Sequence, residues 1–197
     1  MASARKKTSS KKPLRADAQR SIESVLDAAL EVLASDPAAS MAEIARRAGV
    51  VRATIYVHFP TREELLDAVT MRAIAKVTER VAAAEPAQGE PVDALRRVLL
   101  ASWRELDRFA GLVPVNMARL SSEKFHDMHR PFLELLYPLV VRGQQTGAFR
   151  QGVPPFWHLA MVLALAHAAS AEASAGRIAE ADVEEAMVRT VLGAVAA

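Results

Sequence analysis

The sequence predicts an all-α protein of about nine helices, and three observations lead to that fold class. Apolar residues recur at intervals of three and four along most of the chain, the spacing that places them on one face of a helix. No stretch alternates apolar and polar residues as a half-buried strand would. Hydrophobic residues make up 51% of the 197 residues, which is enough for a packed core and excludes global disorder.

The first helix is expected from about Asp17 to Ala34. It follows a basic tail over residues 1–16, which is polar enough to be disordered in isolation. The pair Asp36-Pro37 ends the helix, because a residue before proline avoids the helical region. The apolar stripe of this helix is Ile22, Val25, Leu26, Ala29, Leu30 and Leu33.

Two short helices joined by a tight turn are predicted between Ser40 and Phe59. Ser40 and Glu43 form a capping box, in which the hydroxyl and the carboxylate each satisfy free N–H groups at a helix start. Gly49 allows the chain to turn, because glycine adopts positive φ at little cost. Ile55, on the second helix, faces the same core as the first. This arrangement is typical of a helix-turn-helix, whose second helix enters the major groove of DNA.

A longer helix follows this pair. Pro60 ends the short helix before it, and Thr61 with Glu64 forms a second capping box. A connector over residues 85–91, rich in proline and glutamate, leads into a second helical region. From here to the C-terminus, helices are placed at 62–84, 91–108, 112–120, 122–143, 154–175 and 179–195.

Three prolines and one glycine-rich stretch interrupt these C-terminal helices. A kink or a boundary is expected at Pro114, Pro131 and Pro138, because proline cannot donate a backbone hydrogen bond. Residues 143–152 are predicted as a turn or loop. The helix over 154–175 is apolar on nearly all sides and is therefore expected to be buried on nearly all sides. It is too short and too rich in alanine for a membrane span.

The chain is expected to divide into a helix-turn-helix domain over residues 17–62 and a larger helical domain over 63–197. Small residues on the last two helices suggest a symmetric interface of four helices, two from each of two subunits. The alternative for residues 156–171 is a core helix that packs only within its own chain. The residues predicted at the dimer interface are Leu163, His167, Ser170, Val183, Met187, Thr190 and Val191.

Charge is distributed unevenly along the chain. Residues 1–62 hold 11 Lys and Arg against 6 Asp and Glu, whereas residues 63–197 hold 14 against 17. A basic end that contains the helix-turn-helix favours attraction to DNA phosphates. The basic tail can follow the DNA or enter a minor groove, and the alternative is a tail that is merely solvated. Its charged residues are Arg5, Lys6, Lys7, Lys11, Lys12 and Arg15.

The composition also excludes some kinds of site. The chain has no cysteine, which rules out disulfides, thiolate metal sites and cysteine nucleophiles. Its N-terminus lacks the apolar run that a secretory signal needs. Both observations fit a cytoplasmic protein with no membrane partner, and no motif in the sequence calls for a cofactor.

The run from Arg20 to Val69 resembles the TetR family of bacterial transcription regulators. The resemblance implies a homodimer that binds a palindromic operator in double-stranded DNA, usually as a repressor, and responds to a small molecule in the C-terminal domain. The chain departs from the family's pattern at Val51, Ala53 and Val57, where serine, glycine and an aromatic residue are common. The matching residues are Ile44-Ala45, Ala48-Gly49-Val50, Thr54-Ile55-Tyr56, His58-Phe59, Thr61-Arg62-Glu63 and Leu65-Leu66.

The recognition helix is expected to begin near Val51, and its outward residues are candidate DNA contacts. Arg52 is the best candidate to read a base, because its guanidinium can pair with O6 and N7 of guanine; a phosphate contact is the alternative. Ala53 and Val57 can contact thymine methyl groups. The resemblance implies phosphate contacts for Tyr56 and His58.

Four further residues complete the predicted DNA contacts. Thr61 and Arg62 lie at a helix start, where free N–H groups and positive charge favour phosphate. Simple capping and a solvated arginine are the alternative for this pair. Thr54 is a candidate for a phosphate or a base, and Met41 is a lesser candidate. Besides Val57, the residues predicted to contact DNA are Met41, Val51, Arg52, Ala53, Thr54, Tyr56, His58, Thr61 and Arg62.

The effector pocket has no motif, so its lining is predicted from composition. Aromatic, methionine and histidine side chains fit a mostly apolar pocket with few polar groups, and ordinary core packing is the alternative for each. Asn116 and Arg119 are candidate polar anchors. The predicted lining is Trp103, Met117, Phe125, Met128, Phe132, Tyr137, Trp157, Met161 and His167.

Three other functions are compatible with parts of the sequence. A metal-dependent enzyme could use His126 and His129 with Glu123 and Asp127 nearby, although no further ligand motif accompanies them. No GxxxxGK[ST] loop and no GxSxG elbow is present. The other two are a helical protein-interaction module without DNA binding and a DNA-binding architectural factor without ligand control.

Overall fold

The computed structural model describes residues 11–197, and the side chains of residues 22–179 and 181–197. These residues form nine helices and no strand, which confirms the predicted all-α class. The helices are α1 (Lys11–Ser35), α2 (Met41–Arg47), α3 (Arg52–His58), α4 (Arg62–Ala83), α5 (Pro91–Arg108), α6 (Leu112–Arg119), α7 (Ser122–Gln145), α8 (Pro155–Ser174) and α9 (Glu180–Val195).

The predicted bounds of α4 to α9 are confirmed to within two residues at each end. Helix α1 differs, because it begins at Lys11 rather than near Asp17. Residues 11–16, predicted as part of a disordered tail, are therefore helical. Pro13 does not prevent this, because proline in a first turn lacks an N–H that would have no partner anyway. The rest of the predicted tail, residues 1–10, lies outside the described residues.

Helix α7 continues through both of its prolines, so neither is a boundary, and the alternative of a kink stays a prediction. Pro131 and Pro138 each remove one backbone hydrogen bond. The helix packs against α4, α5 and α8, and such tertiary contacts provide most of the stability of a helix in a folded protein. Pro114 lies in the first turn of α6, where proline costs little.

Helix α4 connects the two halves of the molecule. Helix α1 packs against α2 and α4, and α2 packs against α3. The core of this N-terminal half includes Val25, Ile44 and Ile55, all fully buried. Beyond that core, α4 packs against α5 and α7 of the C-terminal half. A displacement of α4 would therefore change the helix packing in both halves.

Most of the predicted dimer contacts need correction, because their side chains are buried inside their own chain. Val183, Met187 and Val191 are 1%, 4% and 0% exposed, and Ser170 is 2% exposed. The apolar stripe of α9 packs against α8 and α5 of the same chain. Thr190 is exposed, and its place at a dimer interface stays a prediction.

The outer face of α8 is exposed in the isolated chain, which contradicts the alternative of a core helix that packs only within its own chain. Phe156 and Trp157 are 52% and 62% exposed, and Ala160, Ala164 and Ala168 are exposed further along the helix. This face is apolar, so it leaves hydrophobic surface uncovered in the isolated chain. Within residues 11–197, no helix combines the length and hydrophobicity that crossing a bilayer requires.

Candidate nucleic-acid interface and ligand cavity

The turn between α2 and α3 has the geometry that its sequence predicts. The Ser40 hydroxyl accepts a hydrogen bond from the Glu43 N–H at 3.2 Å. Gly49 has φ of 68°, a conformation that costs other residues more. The Val50 N–H donates to the Ala45 carbonyl at 3.0 Å. These bonds fix the angle at which α3 leaves α2.

The second half of the predicted capping box is absent. The Glu43 carboxylate binds the Arg46 guanidinium instead of reaching back to the helix start. The hydrogen bond from Arg46 lowers the pKa of Glu43 below its ordinary value. The hydroxyl alone therefore caps α2, and the ion pair lies on its exposed side.

Helix α3 separates a buried face from an exposed apolar one. Ile55 is fully buried. On the opposite side, Val51 at the N-cap is 70% exposed and Val57 is 75% exposed, with Arg52 and Ala53 exposed beside them. Two large aliphatic side chains exposed next to a cation indicate a surface that contacts another molecule.

Arg52 and Tyr56 form a pair on this exposed face. The guanidinium carbon of Arg52 lies 5.4 Å from the centroid of the Tyr56 ring, within the range of a cation–π interaction. The Nη2 atom of Arg52 is 3.4 Å from the Tyr56 hydroxyl. Among the described side chains, no carboxylate forms an ion pair with Arg52. Its charge is therefore held in place and available to an external acceptor.

The structure gives Arg62 a different role from the predicted phosphate contact. Its Nη2 donates to the Pro37 carbonyl at 2.7 Å, and its Nη1 donates to the Ala39 carbonyl. These carbonyls lie in the loop between α1 and α2, so Arg62 ties that loop to the start of α4. Two N–H groups of the guanidinium are therefore engaged within the chain.

The other predicted DNA contacts differ in accessibility. Met41 is 7% exposed, because its side chain packs into the core at the start of α2, and it cannot contact DNA. The Thr61 hydroxyl accepts a hydrogen bond from the Glu64 N–H at 3.1 Å, which caps α4. Thr54 and His58 are half-buried along α3.

A small apolar cavity of about 60 Å³ lies between helices α4 to α8. Beside it, along the exposed face of α8, runs a groove of about 800 Å³. Val113, Phe125, Leu163 and His167 line both spaces. The cavity lining is Thr70, Ala73, Ile74, Val77, Leu106, Phe109, Leu112, Val113, Asn116, Phe125, His129, Phe132, Leu163 and His167.

Three of the nine predicted lining residues contact the cavity, namely Phe125, Phe132 and His167. Met117 lines the groove instead. The other five lie elsewhere, because a composition does not show which side of a helix faces the cavity. Trp103 and Met128 are buried in the core, Met161 is half-buried, Tyr137 stacks on Phe156 at 5.0 Å between ring centroids, and Trp157 is exposed.

Sequence reasoning missed His129 and the part of α4 that faces the cavity. His129 follows Phe125 by one helical turn, so the spacing alone could have placed both on one face. Thr70, Ala73 and Ile74 line the cavity from α4, and none of them is among the predicted lining residues. No sequence signal distinguishes the wall of a cavity from a packed core.

A buried polar group forms one wall of the cavity. Asn116 Nδ2 donates to the Thr70 hydroxyl at 2.9 Å, and that hydroxyl donates to the Leu66 carbonyl at 2.7 Å. The Arg119 guanidinium donates to Asn116 Oδ1 at 3.0 and 2.8 Å and also binds Asp67. These contacts join α6 to α4.

Asp67 extends this connection to α7. Lys124 Nζ donates to Asp67 Oδ2 at 2.7 Å, and Arg119 binds the other carboxylate oxygen. Partial burial raises the pKa of Asp67, but the hydrogen bonds from Lys124 and Arg119 outweigh it and hold that pKa below its ordinary value. The carboxylate therefore stays ionised and connects three helices at neutral pH.

Two histidines lie side by side at the other wall. The ring centroids of His129 and His167 are 5.6 Å apart, and both rings contact Phe125. His129 Nδ1 donates to the Phe125 carbonyl at 2.8 Å, which leaves Nε2 as the acceptor in the neutral ring. Burial lowers the pKa of both rings, and lowers that of His167, with help from His129, to about 4.

The histidine cluster that the alternative of a metal-dependent enzyme requires is not assembled on α7. His129 turns toward His167, whereas His126 is exposed. Within the described part of the chain, no three or more His, Asp or Glu side chains are grouped so as to hold a metal ion.

An all-α fold with a helix-turn-helix joined by one long helix to a domain with an apolar cavity defines a class of helix-turn-helix regulators. The sequence model described as bacterial regulatory proteins, tetR family, matches residues 25–69. Residues 25–69 of the chain therefore belong to the TetR family. The chain's helix-turn-helix, α2 and α3, lies wholly inside the matched region.

Two characterised proteins resemble the chain in sequence. The transcriptional repressor LfrR of Mycolicibacterium smegmatis is 40% identical over 82 residues, which cover 41% of this chain and 43% of LfrR. The fatty acid metabolism regulator protein of Bacillus subtilis is 25% identical over 140 residues, or 66% of this chain and 71% of that protein. The chain thus spans less than half the length of LfrR in that alignment.

Solved structures resemble the chain over nearly its whole length. The TetR transcription regulatory protein from Mycobacterium vanbaalenii is 29% identical, with a TM-score of 0.63 over 94% of this chain and all of that one. LfrR in complex with proflavine has a TM-score of 0.72 at 24% identity, over 91% of this chain and 98% of LfrR. The similarity to LfrR, at 24% identity, is a similarity of fold.

Proposed function

We propose that the chain is a transcriptional repressor that binds a palindromic operator as a homodimer and leaves it when a small apolar molecule enters the C-terminal domain. The exposed face of α3 carries the proposal. Arg52, held by Tyr56 and without an ion-pair partner among the described residues, is suited to guanine. Val51, Ala53 and Val57 beside it are suited to thymine methyl groups.

A homodimer is proposed because one recognition helix of seven residues buries little surface on DNA. Two copies about 34 Å apart would contact successive major grooves on one side of the duplex. The exposed small residues of α8 and α9 support this arrangement. Ala164 and Ala168 on α8, and Ala186 and Gly193 on α9, are exposed and would allow helices of two subunits to approach closely.

Ligand control is proposed to act through α4. At its first residue, Arg62 holds the loop before the helix-turn-helix. Two to three turns later, Thr70 and Ile74 line the cavity. A molecule that enlarges the cavity would displace α4 and, with it, the position of α3. The same coupling requires that operator binding weakens ligand binding by an equal factor.

The relatives support this function without deciding its details. LfrR is named a transcriptional repressor, and its structure holds proflavine. The effector of this chain is proposed to be mostly apolar, because the cavity and groove are lined chiefly by apolar side chains. The chain is proposed to act in the cytoplasm.

Selection of bound sequences from a random pool of duplex DNA tests the proposal. The expected result is an inverted repeat whose half-sites are centred about 10 base pairs apart. A complex of one duplex with two chains should accompany it in sedimentation. Enrichment of a single unrepeated site, or of no sequence, would contradict the dimeric operator.

A further inference from the structure

The inner cavity has polar groups at two walls, and only one wall is available to a ligand. At the first wall, the Thr70 hydroxyl and the Asn116 amide bind each other, Leu66 and Arg119. At the second, among the described contacts, His167 has ring contacts but no hydrogen bond, and His129 uses only Nδ1. The two imidazoles are therefore the polar groups free to bind a molecule in the cavity.

The cavity lining contains no Asp, Glu, Lys or Arg. A buried charge without a counter-charge is costly, so a cationic ligand has no partner here. Three carboxylates of the surrounding helices are ion-paired, whereas Glu123 and Asp127 of α7, and His126 at the groove, are exposed. The pairs are Asp67 of α4 with Arg119 and Lys124, Glu105 of α5 with Arg80, and Glu172 of α8 with Arg177.

We infer that the cavity binds the head of an apolar monocarboxylic acid together with one proton taken from solvent, held between His129 and His167. This inference rests on the proposed effector site and specifies its chemistry. His129 Nε2 would accept the acid's O–H, and an N–H of His167 would donate to its carbonyl oxygen. A carboxyl group has both functions on adjacent atoms, which matches two neighbouring neutral rings.

The proton balance follows from the states of the partners. In neutral solution the free acid is a carboxylate, and burial keeps both imidazoles uncharged because it lowers their pKa values. The complex contains one proton more than its separated parts, whether that proton lies on oxygen or on His129. The buried assembly therefore has no net charge, which avoids the cost of a buried anion.

The two spaces are matched to such a molecule. The cavity of about 60 Å³ has room for a small head. The groove of about 800 Å³ shares Phe125, Leu163 and His167 with the cavity. An alkyl chain could therefore extend from the histidine pair along the apolar face of α8.

Calorimetric titration of the full chain with octanoate and octan-1-ol tests the inference. Between about pH 6 and pH 8, octanoate affinity should fall about tenfold for each pH unit, the slope that uptake of one proton imposes. Octan-1-ol affinity should stay constant, because the alcohol is uncharged throughout. Titrations in two buffers of different ionisation enthalpy should show uptake of about one proton per octanoate.

Variants locate the effect. His129→Leu should abolish proton uptake and weaken octanoate binding at least tenfold, and His167→Leu should weaken it in the same direction. Asp127→Asn, an exposed change on the same helix, should alter neither. If a variant fails to fold, the pH dependence of octanoate binding by the wild type still tests the inference.

The outcomes separate this inference from the proposed function. Octanoate that binds without proton uptake, or fails to bind at any of these pH values, overturns the inference. If octan-1-ol nevertheless releases the operator, the proposed function stands. Proton-linked octanoate binding by a chain that ignores every DNA sequence would support the inference and contradict the function.

Discussion

The Thr70 hydroxyl and the Asn116 amide are hydrogen-bonded at 2.9 Å across the boundary between α4 and α6, and both residues are buried. The bond joins the helix that continues from the helix-turn-helix to a short helix at the cavity. Asn116 Oδ1 also accepts a hydrogen bond from the Arg119 guanidinium. The contact between α4 and the C-terminal half therefore depends on a buried polar group that has few other hydrogen-bond partners.

Removing either partner of this bond should destabilise the protein, and the effects of the two removals should not be additive. Asn116→Ala is expected to cost about 1–3 kcal/mol of unfolding free energy, because it leaves the Thr70 hydroxyl and Arg119 short of a partner. Thr70→Val should cost about 1 kcal/mol. In a double-mutant cycle by urea denaturation, the two changes should couple by at least about 0.5 kcal/mol. Strict additivity would show that the bond contributes nothing to stability.

Truncation of Arg62 and truncation of Arg52 should have different effects on the unfolding free energy. Arg62→Ala is expected to lower the unfolding free energy by about 1–3 kcal/mol, because the Pro37 and Ala39 carbonyls lose their donor. Arg52→Ala, at an exposed position, should change it by less than about 0.5 kcal/mol. Urea denaturation of both variants makes the comparison. An Arg62 variant with full stability and impaired operator binding would restore the phosphate contact that the sequence predicted.

Acid should destabilise the protein before the carboxylates titrate. The pKa of His167 is 6.5 in the unfolded chain and about 4 in the folded one. Between these values the unfolded chain binds the proton and the folded chain does not. The stabilisation is therefore complete above pH 6.5 and is lost as the pH falls toward about 4.

Urea denaturation at about pH 7 and pH 5 measures this loss. His167→Phe should reduce the difference between the two pH values, although His129 contributes in the same direction. His126→Gln, an exposed change on α7, should leave the difference as it is. Equal pH dependence in the wild type and the His167 variant would exclude His167 as its source.

A charge on the outer face of α8 should prevent dimerisation without unfolding the chain. Ala164 is exposed on that face, so Ala164→Arg is expected to give a monomer at micromolar concentration with an unchanged circular dichroism spectrum. Ala82→Arg, at an exposed position of α4, provides the matched control. Sedimentation velocity distinguishes the two. A dimer that tolerates Ala164→Arg would place the interface elsewhere.

The sequence predicted the helices well because their signals are local. The Thr61 cap, the proline at the start of α5 and the apolar spacing of α9 each act within a few residues. The recognition helix was found for the same reason, since Gly49 and Ile55 fix its position and its buried face. The start of α1 was misplaced because polarity alone does not exclude a helix.

The cavity could not be predicted to the same extent, because it depends on how five helices meet. Trp103 and Phe132 are both aromatic and were both predicted to line the pocket, yet only Phe132 faces the cavity. Arg62 illustrates the same limit at the helix-turn-helix. Its partners are two carbonyls more than 20 residues earlier in the chain, and no local pattern indicates them.

Binding of the selected operator by wild-type protein and Arg52→Ala, each competed with scrambled duplex at moderate salt, tests the central claim most directly. The wild type should prefer the operator, and Arg52→Ala should lose about 1–3 kcal/mol of operator binding while retaining its weaker affinity for scrambled DNA. Arg130→Ala, an exposed change on α7, should behave as the wild type. A wild-type protein that binds both duplexes equally would contradict the account.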